Sequence, residues 1–181
     1  LTRKKDSKYN GYIMMLRRDQ VGTRMTELVK QIMDNGSEAD QQVLEQVLTG
    51  LAQKPAKQQT YINLLFGFET EFTSDGLAMT MPVTSLVHNT LGIVHGGVIT
   101  TLADTAMGTL ANKMVPEGQA AVTTEIQVHF FKEAAGSRLV CKCSVLHKGR
   151  QTMVFESKVY REDGIMCGHS TGSFFIVPKK N

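Results

Sequence analysis

Residues 94–112 read Val-His-Gly-Gly-Val-Ile-Thr-Thr-Leu-Ala-Asp-Thr-Ala-Met-Gly-Thr-Leu-Ala-Asn, and Asp104 alone among them carries a formal charge. Val98, Ile99, Leu102, Ala103, Ala106, Met107, Leu110 and Ala111 recur at helical spacing, with small Thr, Gly and Asn residues between them. A helix that is apolar nearly all round belongs inside a fold. The pattern therefore predicts a buried helix, opened by Gly96-Gly97 and running to about Lys113. Burying an ionised carboxylate is costly unless it is paired, hydrogen-bonded or protonated, which makes Asp104 the first candidate for chemistry. The competing reading is a structural acid bonded to a nearby hydroxyl or amide. Gly96 and Gly97 add free backbone N–H groups at the positive end of the helix dipole, a site for a developing oxyanion. A carboxylate and an oxyanion site are the minimum for acyl transfer to water.

Spacing limits how the two can cooperate. Gly96 and Asp104 are eight residues apart, roughly 12 Å along a helix, so both cannot touch one carbonyl from the same chain. Two such helices lying antiparallel about a two-fold axis bring Gly96 of one copy to Asp104 of the other, creating two equal sites. If the pair works together, the protein is at least a dimer.

Other reactive residue types point away from metal and redox chemistry. His88, His95, His129, His147 and His169 are scattered without ligand spacing, so no metal and no cofactor are expected. Cys141, Cys143 and Cys167 match neither a disulfide framework nor a zinc pattern. Cys141 and Cys143 share one face of a strand-like run and read as small apolar fillers. A cytoplasmic location is the expectation from this cysteine usage.

The elements around the helix follow from pattern. Phe68, Thr70 and Phe72 alternate with Glu69 and Glu71, Ser74-Asp75-Gly76 turns, and Leu77, Met79 and Met81 alternate again, which predicts a hairpin in a region that turns strand-like from Tyr61. After the helix come four strand-like runs, about 121–131, 138–147, 151–161 and 165–177. Turn clusters separate them, and an antiparallel meander is expected. One helix across an antiparallel sheet is an α+β layer architecture.

Upstream, Met25, Leu28, Val29, Ile32 and Met33 form one helical stripe, stopped by Asn35-Gly36. Ser37 reads as an N-cap for a second helix, with Ala39, Val43, Leu44, Val47, Leu48, Leu51 and Ala52 as its stripe and Lys54-Pro55 as its end. The expected organisation is a basic tail over 1–20, a helical hairpin extension and linker over 21–60, and the sheet-and-helix domain over 61–181. Met14-Met15 offers a translation start that would place the leader outside the natural chain.

At 181 residues, 41% hydrophobic and 20% charged, the chain has enough material for one core and is neither disordered nor rod-like in composition. No apolar run is long enough to span a membrane, and Leu1-Thr2-Arg3-Lys4-Lys5 leads into polar residues rather than a secretory signal. Residues 1–60 hold ten basic against seven acidic side chains, and residues 61–181 ten against ten. The basic excess at the start reads as a solvated tail, with no helical or aromatic pattern for nucleic acid.

The spaced set Asn89, His95-Gly96-Gly97, Leu102, Asp104, Ala106 and Gly108 closely resembles the signature of the hot-dog-fold acyl-CoA thioesterases, above all the phenylacetic-acid-pathway type. Val122 to Phe130 resembles the strand that follows the helix in that family, and the likeness covers about residues 61–178. It implies a sheet wrapped around one central helix, a homodimer that often pairs into a tetramer, and an acyl-CoA substrate. It also implies roles. Asn89 and the Gly96 amide polarise the thioester carbonyl, His95 helps place that loop, Asp104 activates water or attacks directly, and Thr123 is a helper hydroxyl. Gly97 belongs to the same substrate-facing turn, and Lys132, Lys148 and Arg150 lie near strand ends where they could meet the phosphates of CoA.

Two departures stand out. Lys132-Glu133-Ala134 lacks the proline common after that strand in the family, and the helices of residues 21–54 are not required by the core fold. The alternative function is an acyl-CoA-sensing regulator that binds without hydrolysis. Against it, residues 37–54 contain one lysine and three acids, no basic recognition helix. A dehydratase or hydratase on this fold would rely on a catalytic histidine in a different loop.

Overall fold

The computed structural model describes residues 18–57 and 59–179; most of the predicted tail, residues 1–17, lies outside them. The chain divides into two compact units, one ending at Gln46 and the other beginning at Val47. Helix α1 spans Arg18–Asn35 and helix α2 spans Glu38–Lys57. The cap at Ser37 is reciprocal. The Asp40 N–H donates to Ser37 Oγ at 3.2 Å, while Asp40 Oδ2 accepts from the Ser37 N–H at 2.9 Å and from Ser37 Oγ at 2.7 Å, the logic of a capping box. Contrary to the sequence expectation, α2 continues through Pro55 to Lys57. A proline this near the end removes only one hydrogen bond from a helix about to stop.

A second correction concerns Tyr61. The strand texture expected there begins later, because Tyr61–Leu65 is a short helix, α3, capped by Thr60 Oγ1 accepting from the Asn63 N–H at 3.2 Å. The strands are β1 (Glu69–Thr73), β2 (Gly76–Pro82), β3 (Gln119–Phe130), β4 (Arg138–Lys148), β5 (Thr152–Arg161) and β6 (Met166–Pro178), with the long helix α4 at Gly96–Met114 between β2 and β3. All neighbours are antiparallel, in the order β1-β2-β4-β5-β6-β3. The expected four-strand meander therefore holds only for β4 to β6. β3 lies at the far edge beside β6, and β2 takes the place next to β4. The link from β3 to β4 must cross the sheet, and it does so past the start of α4. Ala134 on that link is buried, and its carbonyl accepts from the Val94 N–H at 2.9 Å.

Alternation builds the core. Leu77, Met79 and Met81 on β2, Leu139, Cys141 and Cys143 on β4, Met153, Phe155 and Val159 on β5, and Cys167 and Phe174 on β6 all point inward. They pack on Ile99, Leu102, Ala103, Ala106, Met107, Leu110 and Ala111 of α4. Fully burying one of the larger of these side chains contributes about 1.5–3 kcal/mol. Gly172 admits the helix closely, since a Cβ there would stand 2.9 Å from Met107 Cε. The cysteines are free and buried, and burial pushes the Cys141 and Cys143 thiols up to about 12. All three lie in the core cluster around α4.

Two regions are more open than pattern alone suggests. Every residue of β1 is exposed, including Phe72, whose ring lies 5.5 Å from Lys113 Nζ. The helix α4 itself buries only one face. Its other side, with Thr101, Asp104, Thr105, Gly108 and Thr109, is half-exposed, and Asn112 is exposed.

Candidate active site

The turn before α4 is built by Asn89. Its Oδ1 accepts from the Leu91 N–H at 2.8 Å and the Ile93 N–H at 3.4 Å. Its backbone closes the same loop, with Asn89 N–H to the Ile93 carbonyl at 2.8 Å and Gly92 N–H to the Asn89 carbonyl at 3.0 Å. Gly92 adopts φ +72°, a left-handed turn that favours glycine. The sequence expectation gave Asn89 a direct part at the carbonyl. In this chain its side-chain oxygen is committed to shaping the loop, which leaves the Nδ2 side of the amide as its donor.

His95 is the N-cap of α4. Its Nδ1 accepts the Gly97 N–H at 2.9 Å, and its carbonyl starts the helix by accepting from Val98 and Ile99. Of the two amides expected to be free, that of Gly97 is therefore taken. The Gly96 N–H stands at the helix start, where the dipole favours negative charge, and has no hydrogen-bond partner among the described residues. A Cβ at 97 would stand 3.1 Å from His95 Nδ1, so a larger residue there would have to push the imidazole aside by a few tenths of an ångström. Over Gly96 lies Phe130, whose ring would be 3.3–3.7 Å from a Cβ at that position. Pattern reading of β3 did not single out Phe130, which is exposed at the end of the strand.

Asp104 stands two turns further along, on the open face of the helix. Thr123 Oγ1 donates to its Oδ1 at 2.8 Å, which brings together the two residues that the sequence pairs by resemblance. The carboxylate is half-exposed rather than sealed, because the sheet covers only the opposite face of α4. It opens onto a groove of about 480 Å³ bordered by Ile62 and Asn63 of α3, Gly108 and Asn112 of α4, and Thr123 and Phe174. With one oxygen held by a hydroxyl and an open approach, Asp104 can accept a proton from water or attack an electrophile.

The basic residues do not converge. Lys132 follows β3 on the side of the α4 start, whereas Lys148 Nζ donates to the Met114 carbonyl at 3.2 Å, at the other end of that helix, with Arg150 in the adjoining turn. A helix of 19 residues separates them by roughly 28 Å. Within one chain they do not form a single patch. Among the described residues no group of three or more His, Cys, Asp or Glu side chains could hold a metal ion, and no helix is long and apolar enough to cross a membrane.

A family model for the thioesterase superfamily matches residues 91–167, the span from the loop before α4 to the start of β6. The chain is similar to the proofreading thioesterase EntH of Cronobacter sakazakii, 34% identical over 99 residues that cover 54% of this chain and 72% of that one. Among solved structures it is similar to the Bacillus halodurans protein BH2602, crystallised with CoA, at 35% identity and a TM-score of 0.78, covering 84% of this chain and 99% of the other. The E. coli PaaI protein from the phenylacetic acid degradation operon shares the fold, with a TM-score of 0.62 at 22% identity over 75% of this chain and 98% of that one. The α+β architecture of the chain is thus the hot-dog fold.

Proposed function

We propose, from the premise that this chain belongs to the thioesterase superfamily, that it hydrolyses the thioester of an acyl-CoA at a site shared between two copies. The observation that carries the reading is the Asp104 carboxylate, held by Thr123 and open to a groove, on the same helix as the Gly96 amide at its start. Water attacks the thioester carbonyl as Asp104 takes its proton, and the carbonyl oxygen, now negative, is met by the partner's Gly96 N–H. The C–S bond then breaks, CoA leaves as a thiolate that takes up a proton, and the carboxylic acid is released. His95 keeps the turn in place, Asn89 braces the loop beside the carbonyl, and Gly97 supplies the close approach that the cap requires. Lys132, Lys148 and Arg150 are assigned to CoA phosphates. They stand at opposite ends of one helix, so two antiparallel copies would bring the Lys132 of one near the Lys148 and Arg150 of the other.

A homodimer is supported by the edge of β3, which among the described residues has no strand neighbour besides β6 and exposes Val122 and Phe130; such an edge is a template for pairing. Two dimers forming a tetramer, and a cytoplasmic location consistent with three free thiols, complete the proposal. The test uses acetyl-, hexanoyl-, benzoyl- and palmitoyl-CoA with a thiol-reactive dye. Asp104→Asn and Gly96→Val should each be inactive, and mixing them through reversible dissociation should restore about a quarter of wild-type turnover. Half of the dimers would be mixed, each with one intact site of two. No recovery on mixing would place the site within one chain. No turnover on any substrate, with tight acyl-CoA and DNA binding, would favour the regulator.

A further inference from the structure

Asn112, two turns beyond Asp104, makes three hydrogen bonds with its side-chain amide. Nδ2 donates to the Gly108 carbonyl at 2.8 Å and to the Ala121 carbonyl at 3.1 Å, and Oδ1 accepts the Ala121 N–H at 3.0 Å. The amide thus satisfies both backbone groups of one β3 residue, much as a neighbouring strand would. That matters because β3 is an edge strand, paired among the described residues only to β6. Two residues further along the same strand is Thr123, the donor to Asp104.

We propose that Asn112 is a positioning residue for thioester hydrolysis, acting through Thr123 to hold the Asp104 carboxylate. The inference rests on the function proposed above. Helix α4 and strand β3 are joined by two polar attachments, Asn112 to Ala121 and Asp104 to Thr123, and two points fix the direction of a strand across a helix where one would leave a pivot. Apolar packing does little of this work locally. Between Ala121, which is small, and Ile126, which is half-buried, β3 sets no buried apolar side chain against the helix. The strand is also irregular at this point. Its register against β6 shifts between Thr123 and Glu125, and Thr124 Oγ1 braces the shift by donating to the Ser173 carbonyl at 3.0 Å. A bulge of this kind re-aims the neighbouring side chain. Thr123 thus sits between a brace on the β6 side and the Asn112 clamp on the helix side.

Asn112 is itself exposed, so removing its amide leaves no cavity, and the freed Ala121 groups can take water. The loss should appear in catalysis rather than in folding. In the full-length chain, Asn112→Ala should lower kcat about ten- to hundredfold, as small misplacements of catalytic groups do, with KM changed by less than about twofold and the melting temperature nearly unchanged. Asn112→Asp, which keeps the acceptor and the shape but loses both donated bonds, should fall with it. The deciding measurement is a double-mutant cycle on whichever acyl-CoA of the panel turns over fastest. In a Thr123→Ala background, Asn112→Ala should cost less than a further twofold or so, because the group it acts through is gone. Equal losses in both backgrounds, full activity of Asn112→Ala, or its failure to fold would each overturn the positioning role. A wild-type chain inactive on the whole panel would instead overturn the thioesterase reading itself.

Discussion

The face of α4 toward the sheet carries Ile99, Leu102, Ala103, Ala106, Met107, Leu110 and Ala111, all buried, while the face away from it carries Thr101, Asp104, Thr105, Gly108 and Thr109, all half-exposed. The inner face is wholly apolar, whereas the outer face is made of small and polar residues with one carboxylate. They also differ in what they are bonded to. The inner face makes only packing contacts, whereas the outer face holds the Asp104–Thr123 bond and borders the groove. The contrast teaches that this helix separates stability from chemistry around its circumference, so a substitution should disturb one without the other.

The sharpest way to break that separation is at Asp104. Asp104→Asn keeps the size and an acceptor for Thr123, so folding should be unaffected. Turnover should fall about 10²–10⁴-fold with loss of the general base. A variant that melted several degrees lower would show that the outer face carries stability after all.

Leu102 gives the mirror experiment. It is fully buried against the sheet, and Leu102→Ala should cost about 2–5 kcal/mol in denaturant unfolding. The folded fraction should keep near wild-type kcat. A large loss of kcat with little loss of stability would mean the inner face tunes the site.

Sequence pattern reached the strand–strand–helix–four-strand order because each of those elements is announced locally, by alternation or by a glycine turn. The place of β3 was not legible. Short turns impose neighbourhood on β4, β5 and β6, but the longer β3–β4 link frees β3 to cross the helix start, and nothing in local spacing reports a non-local pairing. Tyr61–Leu65 is illegible for a related reason, since five residues, four of them apolar, have no period long enough to separate helix from strand. The Asp104–Thr123 pair was legible only as a likeness to a known motif. Asn112 left no signal, because an asparagine near a helix end is ordinary until the strand it grips is known. The open face of α4 was taken for buried surface because Thr and Gly are small, and smallness serves a groove as well as a packed core.

Gly97 sits where the two faces begin, and Gly97→Ala should separate them by a smaller margin. The added Cβ would stand 3.1 Å from His95 Nδ1, weakening a cap of about 0.5–2 kcal/mol. Replacing a helical glycine by alanine returns about 1 kcal/mol. The two nearly cancel in a thermal melt, while displacement of His95 and the loop it holds should reduce kcat about tenfold by misplacing the Gly96 amide. An unchanged kcat would show that His95 is not needed to set the turn.

The smallest effect is expected outside the helix altogether, on the far side of the sheet, where Glu156 accepts from Lys158 Nζ at 3.2 Å and Ser144 Oγ at 3.3 Å and contacts His169 Nε2 at 3.2 Å. These partners, His169 first and Lys158 next, hold its carboxyl below the ordinary value of 4.5. A carboxylate whose pKa is lower folded than unfolded contributes stability that is present above the unfolded value and disappears as pH falls through the folded one. Lys158 is 41% exposed, so solvent screening keeps the whole contribution at or below about 1 kcal/mol. Glu156→Gln should therefore melt slightly below wild type at neutral pH, the gap closing as pH drops below the carboxylate range, with acyl-CoA turnover unchanged throughout. A gap that widened in acid would mean that the network is held by the neutral acid rather than by the carboxylate, and a loss of turnover would extend the chemical side of the molecule through the sheet to its outer surface.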